Sequence, residues 1–263
     1  MGARPPAFDH GIGMTKTERA SDRWSFWIDR GGTFTDVIGR SSDGALHALK
    51  LPSRSSTYAD AAVEAMRRLL ELAPDEPFPA SRVAAIRVGT TVATNALLER
   101  TGAKTLLVCT QGFADVLAIG DQTRPKLFAL DIERPTPLYA GVIEASERLA
   151  ADGSVVTPLD EAALAMALAN AARDGFESVA IAFLHSDLDP RHEILAADLA
   201  RAAGFACVAL SSEVSPLPKF VERAETTVID AYLTPPLRAY AGDLSRAVAG
   251  ADLSFMTSGG GLA

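Results

Sequence analysis

The stretch from Phe26 to Arg40, FWIDRGGTFTDVIGR, sets a carboxylate at Asp29, the pair Gly31 and Gly32, and hydroxyls at Thr33 and Thr35 between two short apolar runs. Two glycines at a hairpin tip can take positive φ and bring backbone N–H groups close to a ligand, and flanking threonines add hydroxyl donors. Such a tip suits a phosphate-like oxyanion. Asp29, just before the glycines, is placed to hold Mg2+ through water, because magnesium takes few carboxylates and keeps several waters. Asp36 is expected to order the hairpin instead. A plain glycine turn explains the same residues, and the hairpin alone leaves the two readings level. With no G-x-x-x-x-G-K-[ST] and no strand-borne G-x-G-x-x-G, the P-loop and Rossmann alternatives have little support.

A second cluster, Gly89, Thr90, Thr91, Thr94 and Asn95, lies where a strand-like run, VAAIRV, feeds a helical one. Free N–H groups at a helix start attract anionic or carbonyl ligands, while the same side chains also serve as simple caps. Arg223, Thr226, Thr227 and Asp230 open a later helix, where ligand contact and capping are again both open. His192 and Glu193 begin another, but no second histidine follows four residues on, which argues against zinc.

Periodicity shows the elements that must hold these residues. Trp24 to Asp29 and Thr33 to Arg40 read as strands joined by Gly31-Gly32, and Asp43-Gly44 marks a second turn into ALHALK, which predicts an antiparallel β-meander. Tyr58, Ala61, Ala62, Ala65, Met66, Leu69 and Leu70 recur at helical spacing up to Pro74. Strand runs (VAAIRV, KTLLVCT, SVAIAFLH, FACVALS) then alternate with helices, one ended by Gly102 and one running from an Asp160 cap to Gly175. The expected fold class is therefore α/β, with a mixed sheet opened by the meander. QTRPKLFALDIERPTPLY carries three prolines and no period, and irregular lengths of this kind often carry function. The helical last third is expected to break at Pro235-Pro236. LSFMTSGGGLA then runs from strand into a glycine turn, as though more chain followed.

With 263 residues and 48% hydrophobic content the chain can bury a substantial core. Its 25 basic and 33 acidic residues give a net charge of -8, so there is no electrostatic case for nucleic acid or an anionic membrane. No run approaches the roughly 20 apolar residues of a membrane span. Residues 1–22 read as a mobile leader. Cys109 and Cys207 sit far apart in apolar runs and are expected as buried, unpaired thiols of a cytoplasmic protein.

FWIDRGGTFTDVIGR resembles the first phosphate loop of the actin, sugar-kinase and heat-shock ATPase superfamily. With GTTVATNALLER, TLLVCTQGFADVLAIGDQTRPKLF, LDIERPTPLY, SVAIAFLHS, SSEVSP, TTVIDAYLTPPLRAY and FMTSGGGL in that order, the chain is more closely similar to the N-terminal segment of the hydantoinase A and 5-oxoprolinase family, over essentially Trp24 to Leu262. The opening and IGDQTRPKLF look nearer to the 5-oxoprolinase branch. A sugar kinase matches the hairpin only.

The resemblance implies a ribonuclease H-like ATPase lobe, with an N-terminal α/β domain over 23–212 and an incomplete start of the hydantoinase A core over 213–263. It implies ATP-dependent opening of a cyclic amide: 5-oxoproline, ATP and water giving glutamate, ADP and phosphate. A lactam is an unactivated amide, and phosphorylating its carbonyl oxygen makes it a good electrophile, while the protein positions groups and neutralises charge. By motif, Asp29 would be the Mg2+-linked carboxylate, with Gly31, Gly32, Thr33 and Thr35 on phosphate. Gly259 and Gly260 would form the glycine turn near the nucleotide, Thr257 standing where the family often has glutamine. Thr90, Thr91, Thr94, Asn95, Asp121 and Gln122 would contact substrate, and Arg124 would pair with a substrate carboxylate through its bidentate fork. Family members are longer, so the resemblance also implies a C-terminal part and a hydantoinase B-like region in cis or in trans, and a homo-oligomer when complete. The alternatives are the corresponding portion of an ATP-dependent hydantoinase of the N-methylhydantoinase type, or a non-catalytic binding module.

Overall fold

The computed structural model describes residues 23–120, 128, 136–257 and 259–263. From Trp24 the chain forms β1 (Trp24–Arg30), β2 (Phe34–Arg40), β3 (Leu46–Pro52), α1 (Ala61–Leu69) and β4 (Val83–Thr90). It continues through α2 (Val92–Leu98), β5 (Thr105–Thr110), α3 (Val116–Ile119), β6 (Tyr139–Ala145), β7 (Arg148–Leu149), β8 (Val155–Thr157) and α4 (Glu161–Arg173). There follow β9 (Ser178–Ala182), α5 (Arg191–Ala202), β10 (Cys207–Leu210), α6 (Ser211–Val214), α7 (Phe220–Ala247) and β11 (Leu253–Phe255). The described residues up to Thr90, with Ser245–Ala263, make one compact unit, and Thr91–Leu244 make the other. The second unit is spliced between β4 and β11 of the first.

In the first unit the strands lie in the order β11-β4-β1-β2-β3. β1, β2 and β3 pair antiparallel, the expected meander, while β1, β4 and β11 run parallel. This is the order of a ribonuclease H-like sheet. The Asp43-Gly44 turn forms as read: Ser41 N–H donates to the Ala45 carbonyl and Gly44 N–H to the Ser41 carbonyl, each at 3.0 Å. Phe26, Ile28, Val37, Ile86 and Val88 are buried on one sheet face. Against it lies α1 with Ala61, Ala62, Ala65 and Met66 inward. Asp60 caps this helix, accepting from the N–H groups of Ala62 at 2.9 Å and Val63 at 3.1 Å. Alternation puts Trp27 and Asp29 on the opposite, exposed face.

The second unit is a parallel sheet in the order β10-β9-β5-β6. β5 and β9 are buried at every residue, as central strands covered on both faces must be. On one side Leu106, Val108, Val179 and Ile181 pack with Leu164 and Leu168 of α4 and Ala196 and Ala200 of α5. On the other, Leu107, Cys109, Ala180 and Ala182 pack with Ala224, Val228 and Ala231 of α7. Burial pushes the Cys109 thiol up to about 12 and raises that of Cys207. Since the thiolate is the reactive form, we expect iodoacetamide at pH 8 to leave both cysteines of the folded chain unmodified and to alkylate both in urea, as read by intact mass. Fast labelling of the folded chain would contradict the burial.

Two expectations are corrected here. The helical last third does not break: α7 runs through Pro235 and Pro236 without interruption. In an α-helix the Tyr232 carbonyl would receive the N–H of residue 236, which proline lacks. The Ala103 N–H supplies the missing donor at 3.0 Å. Nor does Gly102 end α2. That helix stops at Leu98, and Arg100, at φ 53, takes the left-handed position, with Thr101 N–H returning to the Ala96 carbonyl at 2.9 Å. Gly102 instead lies against Tyr232, where an added Cβ would stand 2.2 Å from a ring carbon. Asp160 and Gly175 behave as read: Asp160 accepts from Ala163 N–H at 3.0 Å, and Gly175 has φ +77.

Candidate functional site

Because β1, β4 and β11 are parallel, their carboxyl ends meet at one edge of the first unit's sheet. That is the edge where open α/β sheets bind ligands. Three chain segments leave the sheet there: the Gly31–Thr33 turn after β1, Gly89-Thr90 at the end of β4, and the glycine turn after β11. Register places Asp29 beside Gly89 and Arg30 beside Thr90. A Cβ on Gly89 would stand 3.7 Å from Met256 Sδ, which ties β4 to the last turn.

At the first turn, Gly31 N–H donates to the Phe34 carbonyl at 3.0 Å. Gly31 and Gly32 are not among the positive-φ glycines of the described residues, contrary to expectation. Close approach demands glycine at 31, where a Cβ would stand 2.9 Å from the Phe34 carbonyl oxygen. Gly32 and Thr33 are exposed, and so is Asp29 on its sheet face. Thr35 differs from its neighbours in being fully buried, its Oγ1 2.9 Å from Ser53 Oγ. That hydroxyl braces the turn from inside and is not presented to a ligand on the exposed face. Asp36, opposite Asp29 in register, is bound by Lys50 Nζ at 2.9 Å and 2.8 Å, one bond to each carboxylate oxygen. It orders the hairpin, as read.

At the third segment Met256 bridges Leu262, and Phe255 and Ala263 exchange N–H to carbonyl bonds, each at 2.9 Å or less. Thr257 closes this hairpin: its carbonyl accepts from Gly260 N–H at 2.9 Å and its Oγ1 from Gly261 N–H at 3.1 Å. Gly259 and Gly260 are exposed at its tip. An exposed carboxylate, an exposed threonine hydroxyl and two glycine turns on one edge suit a magnesium-bound phosphate in donor type and charge.

Thr91, Thr94 and Asn95 belong to the second unit. Thr91 occupies the N-cap position of α2 without a side-chain cap bond, and Asn95 Nδ2 donates to its Oγ1 at 3.1 Å. Asp121, Gln122 and Arg124 lie outside the described residues. At the carboxyl ends of β5, β9 and β10 the second unit buries a polar network. Arg223, fully buried, donates from Nη1 to Asp187 and to the Leu217 carbonyl at 3.1 Å, and from Nη2 to the Phe183 carbonyl at 2.7 Å. Thr226 and Thr227 bond back to the carbonyls of Glu222 and Arg223. Neither ligand contact nor helix-start capping describes these bonds: Arg223 ties Asp187 and the Leu217 and Phe183 carbonyls together, and the two threonines bond back one turn within the helix. Glu193 accepts from Phe183 N–H at 3.0 Å, Ser211 Oγ at 2.6 Å and Ser212 N–H at 2.9 Å. His192 pairs with buried Glu147 at 2.8 Å. Among the described residues no group of three histidine, cysteine or acidic side chains is arranged to hold a metal.

Residues 25–204 match the hydantoinase/oxoprolinase N-terminal region. The chain belongs to that family. It is 38% identical to the 5-oxoprolinase of Saccharomyces cerevisiae over 89% of its own length and 21% of that protein. With 5-oxoprolinase 1 of Arabidopsis thaliana it shares 41% identity, over 90% of this chain and 21% of that one. The crystal structure of the ATP-dependent caprolactamase from Pseudomonas jessenii superposes with a TM-score of 0.75 at 31% identity, covering 91% of this chain and 36% of that one. Nucleotide-free acetone carboxylase shares the fold, with a TM-score of 0.71 at 22% identity over 91% of this chain and 36% of that one. Sequence reasoning missed Ser53, beneath the first turn, Glu147, the partner of His192, and Asp187, the partner of Arg223; none stands in a motif that announces its role.

Proposed function

We propose that this chain is the phosphate-loop part of an ATP-dependent 5-oxoprolinase, opening the lactam of 5-oxoproline to glutamate with cleavage of ATP to ADP and phosphate. The observation that carries the reading is Asp29 with the Gly31-Gly32-Thr33 turn at the carboxyl edge of β1, in a chain 38% identical to a 5-oxoprolinase. ATP supplies a phosphoryl group that turns the lactam carbonyl into a competent electrophile. Asp29 would hold magnesium through water, Gly31, Gly32 and Thr33 would position phosphate oxygens, and Gly259 and Gly260 would approach the nucleotide from the end of β11, beyond β4. Thr90, Thr91, Thr94 and Asn95, with Asp121, Gln122 and Arg124, are assigned to substrate.

The same proposal takes 23–212 as the N-terminal domain, supported by a family match that ends at 204, and 213–263 as the start of the hydantoinase A core. It requires the remaining length of the relatives, including a hydantoinase B-like region, in cis or in trans, and a homo-oligomeric whole. A cytoplasmic location accords with two buried, unpaired thiols. Among the described residues no helix is long and apolar enough to cross a membrane.

A second reading, a related ATP-dependent cyclic amide hydrolase such as a hydantoinase, is kept open by the 31% identity to the caprolactamase. The test is product release by the longer protein that carries this chain, offered 5-oxoproline, hydantoin and caprolactam with and without ATP. Glutamate and ADP formed together from 5-oxoproline support the first reading. Turnover of hydantoin or caprolactam in its place selects the second, and ring opening without ATP rejects both.

A further inference from the structure

The turn after β1 is held from beneath by Ser53, which follows β3 and is 5% exposed. Its Oγ donates to the Gly31 carbonyl at 2.7 Å and lies 2.9 Å from Thr35 Oγ1, while its backbone N–H donates to the Thr33 carbonyl at 2.8 Å. A serine hydroxyl carries one proton, and the Gly31 carbonyl takes it, so Thr35 is the donor between the two hydroxyls. The outcome is a directed chain from Thr35 through Ser53 to Gly31, in which each bond polarises the next. A peptide group is planar and trans, with its N–H opposite its carbonyl. Drawing the Gly31 and Thr33 carbonyls toward Ser53 therefore turns the N–H groups of Gly32 and Phe34 away from it.

We propose that Ser53 is the positioning residue of the phosphate-binding turn, presetting the Gly32 N–H group toward the phosphate. The inference rests on the phosphate reading of that turn. Ser53 touches no ligand itself and acts only through the backbone of residues 31–33. Glycines in a short turn lose much conformational freedom on ordering, so a brace formed before binding removes a cost that the ligand would otherwise meet.

The experiment uses this chain with Ser53→Ala, Ser53→Thr and Thr35→Val. Backbone 15N relaxation is recorded without ligand, MgATP is then titrated by calorimetry, and a thermal melt is run on each protein. Ser53→Ala is expected to drop the order parameters of Gly31 to Phe34 from about 0.85 to below about 0.6 and to weaken MgATP about tenfold, with the melt lowered by a few degrees and still cooperative. Ser53→Thr, which keeps the hydroxyl, is expected to retain both. Thr35→Val, which keeps the shape and removes the donor, is expected to move both in the direction of Ser53→Ala. Unchanged order and affinity in Ser53→Ala overturn the proposal. A wild-type chain with no MgATP response sinks the phosphate reading separately. In that event, loosening of the turn in Ser53→Ala and its rescue in Ser53→Thr still support Ser53 as the brace, and a turn that stays rigid overturns it.

Discussion

Asp29→Asn is expected to lower the ATP-coupled turnover of the longer protein by roughly 10²- to 10³-fold, the usual loss when one charge-stabilising group is removed from a site of this kind. The fold is expected to survive. Asp29 is exposed on its sheet face and sits opposite Asp36 in the antiparallel register, and like charges directly opposite one another destabilise a sheet. Removing one of them therefore relieves repulsion. Asp36 is not an equivalent carboxylate, because Lys50 already binds both of its oxygens. Asp36→Asn is accordingly expected to cost far less turnover. Steady-state rates and a thermal melt for both variants separate the cases. Wild-type turnover in Asp29→Asn, or equal losses in the two variants, would remove Asp29 from the proposed role.

The largest stability effect is expected at a glycine with no part in the chemistry. Gly102→Ala places a methyl carbon 2.2 Å from the ring of buried Tyr232, well inside contact distance. Either the ring leaves its site or the segment before β5 retreats. Retreat lengthens the Ala103 N–H bond to the Tyr232 carbonyl, and that carbonyl has no second donor because Pro236 lacks one. Overpacking and a strained hydrogen bond together are expected to cost roughly 3 kcal/mol. Urea unfolding of the chain measures it. Adding Tyr232→Leu should recover part of the loss, which the double-mutant cycle reads as coupling between the two positions. A change below about 0.5 kcal/mol, the range of an ordinary surface substitution, would mean that the contact is not tight.

Most of the β-meander was legible because alternation and the Asp43-Gly44 turn are local signals; α1 was legible from its helical spacing up to Pro74, and α4 from the Asp160 cap and Gly175. α7 was misread because its continuity depends on a donor from Ala103, more than a hundred residues away, which no local proline rule contains. Gly102 was misread for the same reason: its neighbour is Tyr232, and nothing nearby in sequence announces that. Within the site, the exposed members Asp29, Gly32 and Thr33 follow from the motif and from the alternation of β1. Thr35 sits in the same motif yet turns inward, because it alternates with exposed Phe34 and Asp36. Ser53 is invisible to motif reading altogether, since its role exists only once β3 has paired with β2.

The central claim is that the carboxyl ends of β1, β4 and β11 form one phosphate site. The measurement that tests it most directly is a titration of MgATP into the 15N-labelled chain, following backbone amide shifts residue by residue, with Asp29→Asn alongside. The account predicts shifts concentrated at Gly31, Gly32, Thr33, Gly89, Gly259 and Gly260, and their loss in Asp29→Asn. Shifts confined to other elements, or the same shifts in wild type and variant, would contradict it.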